Sequence, residues 1–272
     1  MHLSIVGKRS YSAYLAALGL VVLWLAGSAY GQRIPGVVDP ESHSWARFGP
    51  RAWKVVRVKT ETLNEQGQVE RSSIRTTRIQ VTRVTRRSCS LCVTSTAEIE
   101  GNQIAPEPKI LTQTFDQNII STENLRSETL TIGNREYIVK VVRIVSKNEG
   151  VIRTSTVYYS RQAQPQVLKR TTISKDAQSG DIISTTEVAV TEVDRQRTIL
   201  GESHNTWTVS IVFKQGGATT ITTEVHCADV PGELVARTTT KRNADGRVVT
   251  RSKLELIGYG SGLLRRAWRY HR

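Results

Sequence analysis

The sequence predicts an all-β protein: a strongly curved antiparallel meander, a half-barrel or open barrel, with little helix apart from an N-terminal signal. Three observations carry this. From about residue 51 onward the chain is dominated by Thr, Val, Ile, Ser and Arg, the residue types that suit extended, half-buried backbone. Large apolar residues alternate with polar ones, as in Trp207, Val209, Ile211 and Phe213 with Thr208, Ser210 and Lys214 between them. Short turn signals separate the runs: Asn64-Glu65-Gln66-Gly67, Gly101-Asn102, Gly133-Asn134, Asn148-Glu149-Gly150, Ser179-Gly180-Asp181, Gly216-Gly217 and Asn243-Ala244-Asp245-Gly246.

Taken in order, residues 1–31 read as a secretory signal. Lys8 and Arg9 precede an apolar run from Ala13 to Ala26 that ends in small residues, with cleavage expected near Gly31. That run is about 14 residues, and a membrane-spanning helix needs roughly 20, so a removed signal is favoured over a permanent anchor. Export to the periplasm or the extracellular space follows. Residues 32–50, with Pro35, Pro40 and Pro50, read as an extended leader holding one helical turn near Ser42–Phe48. The β-domain is expected over 51–260, with strands near 52–63, 69–85, 88–100, 108–117, 136–147, 151–160, 166–174, 182–193, 206–214, 219–228, 233–241 and 247–257. Loops this short join antiparallel neighbours. Residues 261–272 form a basic, aromatic tail.

A faint internal echo runs through the domain. Leu168-Lys169-Arg170-Thr171-Thr172 precedes Gly180 by the same interval that separates Leu234-Val235-Ala236-Arg237-Thr238 from Gly246, and Val55 stands likewise before Gly67. Copies would span about 132–193 and 199–257, through duplication or through the limited ways of building a hairpin.

Charge defines the kinds of partner. The chain carries a formal +14. Removing residues 1–31 takes away Lys8 and Arg9 and no acidic residue, which leaves +12. A balance this basic raises encounter rates with polyanions. In an exported protein those are acidic lipids, lipopolysaccharide and acidic polysaccharide; nucleic acid is not expected. Arg71, Arg75, Arg78, Arg83, Arg86 and Arg87 crowd one β-ribbon, and Arg265, Arg266, Arg269 and Arg272 crowd the tail around Trp268 and Tyr270. Guanidinium groups bind phosphate and carboxylate bidentately. Polyanion contact is assigned to Arg83, Arg86, Arg87, Arg265, Arg266, Trp268 and Arg269; the bland alternative is that these charges keep sheet edges soluble.

No catalytic constellation stands out, and no metal site or cofactor is expected. Cys89-Ser90-Leu91-Cys92 has the spacing of a redox or zinc half-site, but in a regular strand its two thiols point to opposite faces. Cys89 and Cys227 fall on apolar faces and are either two buried thiols or one disulfide, with Cys92 left free. His226 and Glu224 read as a polar pair on the wet face of their strand, and His204 as a solvent-exposed turn residue. Gly258-Tyr259-Gly260-Ser261-Gly262 lacks the spacing of a phosphate loop.

The segment from Trp45 to Lys54, followed by a long meander with strand openings such as Pro165-Gln166-Val167 and Val230-Pro231-Gly232, resembles uncharacterised exported bacterial proteins. Their sheets are similar to those of LolA-like lipoprotein carriers. The resemblance implies a curved sheet around an apolar concavity. It implies a non-enzymatic binding or scaffold protein of the cell envelope, in which Trp207, Val209, Ile211, Phe213, Ile221 and Val225 line a face that holds a lipid or lipoprotein tail or packs on the chain's own terminal segments. Polyanion or anionic-membrane binding is the alternative, and an unrecognised hydrolase the third reading.

Overall fold

The computed structural model describes residues 43–99, 101–115 and 119–262; the signal, the start of the leader and the basic tail beyond Gly262 lie outside the described residues. Fifteen strands make one antiparallel sheet: β1 (Trp53–Leu63), β2 (Val69–Val84), β3 (Ser88–Ile99), β4 (Asn102–Ile104), β5 (Lys109–Thr114), β6 (Ile119–Asn124), β7 (Glu128–Ile132), β8 (Arg135–Asn148), β9 (Val151–Tyr159), β10 (Val167–Asp176), β11 (Ile182–Ile199), β12 (Glu202–Gln215), β13 (Ala218–Cys227), β14 (Leu234–Arg242) and β15 (Val248–Gly260). Nearly every strand pairs with its chain neighbour, as a meander requires. The longest-range pairing joins the two ends of the domain: β1 lies antiparallel on β15. The sheet does not close. One edge is β3, flanked by β4 and β5 on successive halves of its length; the other is β8, flanked by β6 and β7.

The hairpins share one local design. In β1–β2, β10–β11 and β14–β15 a turn-opening Asn or Asp (Asn64, Asp176, Asn243) accepts backbone N–H bonds on its side-chain oxygen, at 2.9 Å from Gln68, 2.8 Å from Gln178 and 3.0 Å from Arg247. A glycine at positive φ (Gly67, Gly180, Gly246) then turns the chain. Each ladder gains one extra residue just beyond, opposite Leu63, Lys175 or Arg242.

Two apolar clusters form the core. The first gathers Val56, Val58, Ile79, Val81, Leu91, Val93, Leu254 and Leu256 beneath Trp45 and Phe48 of the N-terminal segment. The second gathers Val188, Val190, Trp207, Val209 and Ile211 with Ile132, Val139 and Leu168. Farther along the same strands the register sets Thr222, Thr239, Ser252, Thr60 and Ser73 side by side, and likewise Ser155, Thr172 and Thr186. Some of these hydroxyls bond across strands, Thr222 to Thr239 at 3.1 Å and Ser155 to Thr172 at 2.9 Å. The sheet is thus dry toward one end and hydroxylated toward the other.

The leader is more than a linker. Ala46–Phe48 forms one turn of 3-10 helix, and Trp45, Ala46 and Phe48 are buried in the first cluster. The Gly232 N–H donates to the Ser44 carbonyl at 2.9 Å, and Trp45 lies so close that a Cβ on Gly232 would meet its ring at 2.4 Å. Gly232 also sits at φ +71, a conformation costly for a side chain. Gly232→Ala is therefore expected to lose on the order of 3 kcal/mol of stability, with Trp45 fluorescence shifting to that of solvated indole; urea unfolding followed by tryptophan emission checks both.

Candidate functional site

On the inner faces of β13, β14 and β1, beneath the leader, the sheet buries charge. Glu224 pairs across strands with Arg237. Its Oε1 accepts from Arg237 Nε at 2.7 Å, and its Oε2 lies 2.8 Å from His226 Nε2. His226 stacks on Trp207, with ring centroids 5.6 Å apart. Lys54, buried on β1, donates from Nζ to the Leu234 carbonyl at 3.2 Å and sits 5.0 Å from the centre of the Trp45 ring. Glu233, buried in the β13–β14 loop, meets Arg47 at 3.0 Å, and Arg47 also donates to the Ala228 carbonyl at 2.5 Å. Two cations from β1 and β14, two carboxylates, an imidazole and the leader's arginine thus interlock beneath the leader.

Burial and pairing set the protonation states. Burial alone would raise the Glu224 carboxyl, but the His226 hydrogen bond and the Arg237 charge outweigh it and hold it down to about 2. Burial, reinforced by the charge of Arg237, pulls the Lys54 ammonium down to about 7. Burial pushes the Glu233 carboxyl up against the opposing pull of Arg47. His43, also buried, is lowered to about 4 because desolvation penalises its charged form. It serves as a neutral acceptor: its Nδ1 takes the Trp45 and Ala46 N–H groups, each at 3.2 Å, and so opens the 3-10 turn. The His226–Glu224 pair has the partners of a general base, but both side chains are fully buried. Chemically the cluster is a lock, in which each charge compensates another.

This corrects the reading of β13. Glu224 and His226 are on the interior face, because the register sets Trp207 opposite His226, Val209 opposite Glu224 and Ile211 opposite Thr222. Of the six residues assigned to one lining face, Trp207, Val209, Ile211 and Phe213 share it, while Ile221 and Val225 project to the other side; Ile221 is 41% exposed. Trp207, Val209 and Ile211 are already covered by the chain's own second cluster. The two-residue loop Gly216-Gly217 was the signal for this. Counting outward from Gln215↔Ala218 gives Trp207↔His226, and so places β13's polar residues inside.

The cysteines are free thiols, so the disulfide alternative for Cys89 and Cys227 is replaced by its companion reading, two buried thiols. Burial pushes the Cys89 thiol up to about 12. His204 is not a solvent-exposed turn residue either. Its side chain is only 10% exposed, and its Nδ1 lies 3.1 Å from Asp229 Oδ2, beside Cys227. The arginine ribbon divides: Arg75 is half-buried, Arg78 lies over the Trp53 ring at 4.4 Å, and Arg83, Arg86 and Arg87 stand exposed at the β2–β3 tip. Arg265, Arg266, Trp268 and Arg269 lie outside the described residues.

No protein-family model matches the chain, and no curated protein matches it. Among solved structures it is similar to a candidate lipoprotein from Parabacteroides distasonis, 11% identical over 78% of this chain and 98% of that one, with a TM-score of 0.31. A second is a candidate exported protein with a YmcC-like fold from Bacteroides fragilis, 6% identical over 75% and 95%, TM-score 0.28. A variant of the Rh. blastica porin is 8% identical over 75% and 98%, TM-score 0.29. The likeness at these scores carries no functional argument, and none of these three is named as a LolA-type carrier.

The lock makes two behaviours measurable. Removing one partner of the buried pair, as in Glu224→Leu, is expected to cost about 3–5 kcal/mol, whereas Glu224→Leu with Arg237→Met recovers much of that loss; denaturant midpoints of the two variants decide it. For His43 the folded pKa lies below the unfolded one, so between pH 6.5 and about 4 the unfolded chain takes up a proton that the folded chain refuses. Stability falls as pH drops through that window, before the Glu224 contribution is lost between pH 4.5 and about 2. His43→Asn, which keeps an acceptor for the two N–H groups, is expected to flatten the upper part of the curve.

Proposed function

We propose that the protein is an exported, non-enzymatic scaffold of the cell envelope that docks on an anionic surface through one basic pole. The observation that carries this is a set of unpaired arginines at one end of the sheet. Arg83, Arg86 and Arg87 are exposed at the β2–β3 tip, and Arg51 is exposed beside them, its N–H bonded to the Val81 carbonyl at 2.8 Å. None of the four forms an ion pair among the described residues. On the outer face of β1 and β15, by contrast, charges neutralise one another: Glu255 lies 3.7 Å from Arg57 and 2.7 Å from Lys253, and Glu61 lies 2.8 Å from Lys59 and 2.5 Å from Arg251.

The chain leaves the sheet at this same pole. Gly260 pairs with Trp53, and a Cβ on Gly262 would meet the Pro50 carbonyl at 2.1 Å. Arg265, Arg266, Trp268 and Arg269 follow Gly262 within a few residues in the sequence. Arginine offers bidentate bonds to phosphate and carboxylate, the groups of acidic lipid and acidic polysaccharide. Export rests on the charged, apolar and small-residue layout of residues 1–31. A hydrophobic guest on the sheet is the weaker reading. The apolar end of the face is occupied by the leader and by the chain's own second cluster, so a lipid would have to displace Trp45 and Phe48.

Co-sedimentation with vesicles tests the docking. The wild type is expected to bind vesicles containing phosphatidylglycerol and to ignore neutral phosphatidylcholine, with binding weakening sharply as salt rises. At about 1 kcal/mol for each arginine near the surface, Arg83→Ser, Arg86→Ser and Arg87→Ser together are expected to weaken binding by roughly 100-fold. Equal binding to both vesicle types, or an unaltered triple variant, defeats the proposal.

A further inference from the structure

We infer that His204, Cys227 and Asp229 form a binding site for a thiophilic divalent cation, with Zn²⁺ as the fitting ion. This inference is independent of the docking pole. The three side chains come from three consecutive parts of the fold: His204 from the start of β12, Cys227 from the last position of β13, and Asp229 from the loop that leads to β14. The register brings them together. Thr206 pairs with Cys227, and His204, two residues before Thr206, points to the same side of the sheet.

One nitrogen, one sulfur and one carboxylate oxygen lie within 4.8 Å of one another, with His204 Nδ1 and Asp229 Oδ2 at 3.1 Å. Ligand distances of about 2.0–2.3 Å around a tetrahedral zinc are reached from there by small side-chain rotations. Imidazole, thiolate and carboxylate together select a borderline ion such as zinc over magnesium or calcium, which take oxygen ligands.

One further feature points to a ligand. On the other side of the imidazole, Nε2 is buried without a hydrogen bond among the described residues, and the Glu202 carboxylate stands 3.6 Å away. With Nδ1 on the metal, Nε2 carries the proton and Glu202 receives it after a slight closure, the carboxylate–histidine–metal relay that fixes a ligand's tautomer. Binding displaces the Cys227 proton to solvent, and the thiolate and carboxylate together neutralise the ion's two charges. Asp229, 57% exposed, leaves an entry path, and the fourth coordination position falls to water.

Titrating Co²⁺, a spectroscopic stand-in for Zn²⁺, into the purified, secreted full-length product tests this. One equivalent is expected to give a thiolate-to-cobalt charge-transfer band that Zn²⁺ bleaches. Cys227→Ser removes the band; His204→Gln and Asp229→Asn each weaken the cobalt affinity by at least about 10-fold; Cys92→Ser leaves it intact. Asp229 is exposed, so Asp229→Asn carries the test even where Cys227→Ser fails to fold. Absence of the band in folded wild type overturns the inference, as does a band that survives both Cys227→Ser and Asp229→Asn.

Discussion

The pairing of β1 with β15 is the constraint on which the rest of this molecule depends. Without it the ribbon β1–β3 and the meander β8–β15 would each present a long unpaired edge. With it, Val56 and Val58 lie opposite Leu256 and Leu254, and one cluster spans both parts. The outer side of the seam is built just as specifically. The Trp53 ring lies over Gly258 and Gly260, where a Cβ on Gly260 would come within 2.7 Å of its indole nitrogen, and Arg78 covers the ring's other side. Glycine at position 260 is a packing requirement. Because the partners are separated by nearly the whole domain, the sheet's central contact is also among its least local, a topology that folds slowly.

That seam explains why so much charge can be buried next to it. Lys54 enters the interior from β1 two residues before Val56, and Arg237 enters from β14 opposite Leu254, so a buried cation flanks β15 on each side. Glu224 and Glu233 answer them, and the leader lays Trp45 and Arg47 over the group. A buried ensemble of this kind gives little net stability over a well-packed apolar one, yet is costly to break one member at a time. It therefore specifies an arrangement: the leader in its groove, the β13–β14 loop against it, and β1 in register with β15.

What could be read from the chain follows from what is local. The long strands and their turns were legible because alternation and Asn/Asp-to-Gly turns act over a few residues; the leader's single helical turn was legible near Ser42–Phe48, and the structure places it at Ala46–Phe48. The strands β4, β6 and β7 were not, because they lie at the sheet's edges, are short, and β4 and β6 are largely exposed, so no burial pattern marks them. β13 misled for a different reason. Its apolar and polar residues alternate cleanly, but alternation does not say which set faces inward. Trp207 on the neighbouring strand decided that, and only the count across Gly216-Gly217 carries the information. The His204–Cys227–Asp229 grouping needs the same count plus the path of a loop, and loop paths have no period to read.

The two stretches that echo one another in sequence also follow the same irregularities in the sheet. The loop before β10 closes from the Ser160 N–H to the Gln166 carbonyl, and the loop before β14 from the Cys227 N–H to the Glu233 carbonyl, both at 2.8 Å. Leu168 and Val235 are each the extra residue in the ladder that follows; Thr191 and Ile257 are each the extra residue where the last strand meets its outer neighbour. With Leu168 set against Val235, one residue on from the match the sequence echo gives, Arg170 and Arg237 stand at matching places. Arg237, however, faces Glu224, and Arg170 faces Val157; the position matching His226 is Tyr159. The backbone frame is thus shared while the buried ionic lock and the His–Cys–Asp grouping occur on one side only, the side that the leader covers. Sequence difference at equivalent positions, set against a common register, separates the residues that build the sheet from those that give this end its chemistry.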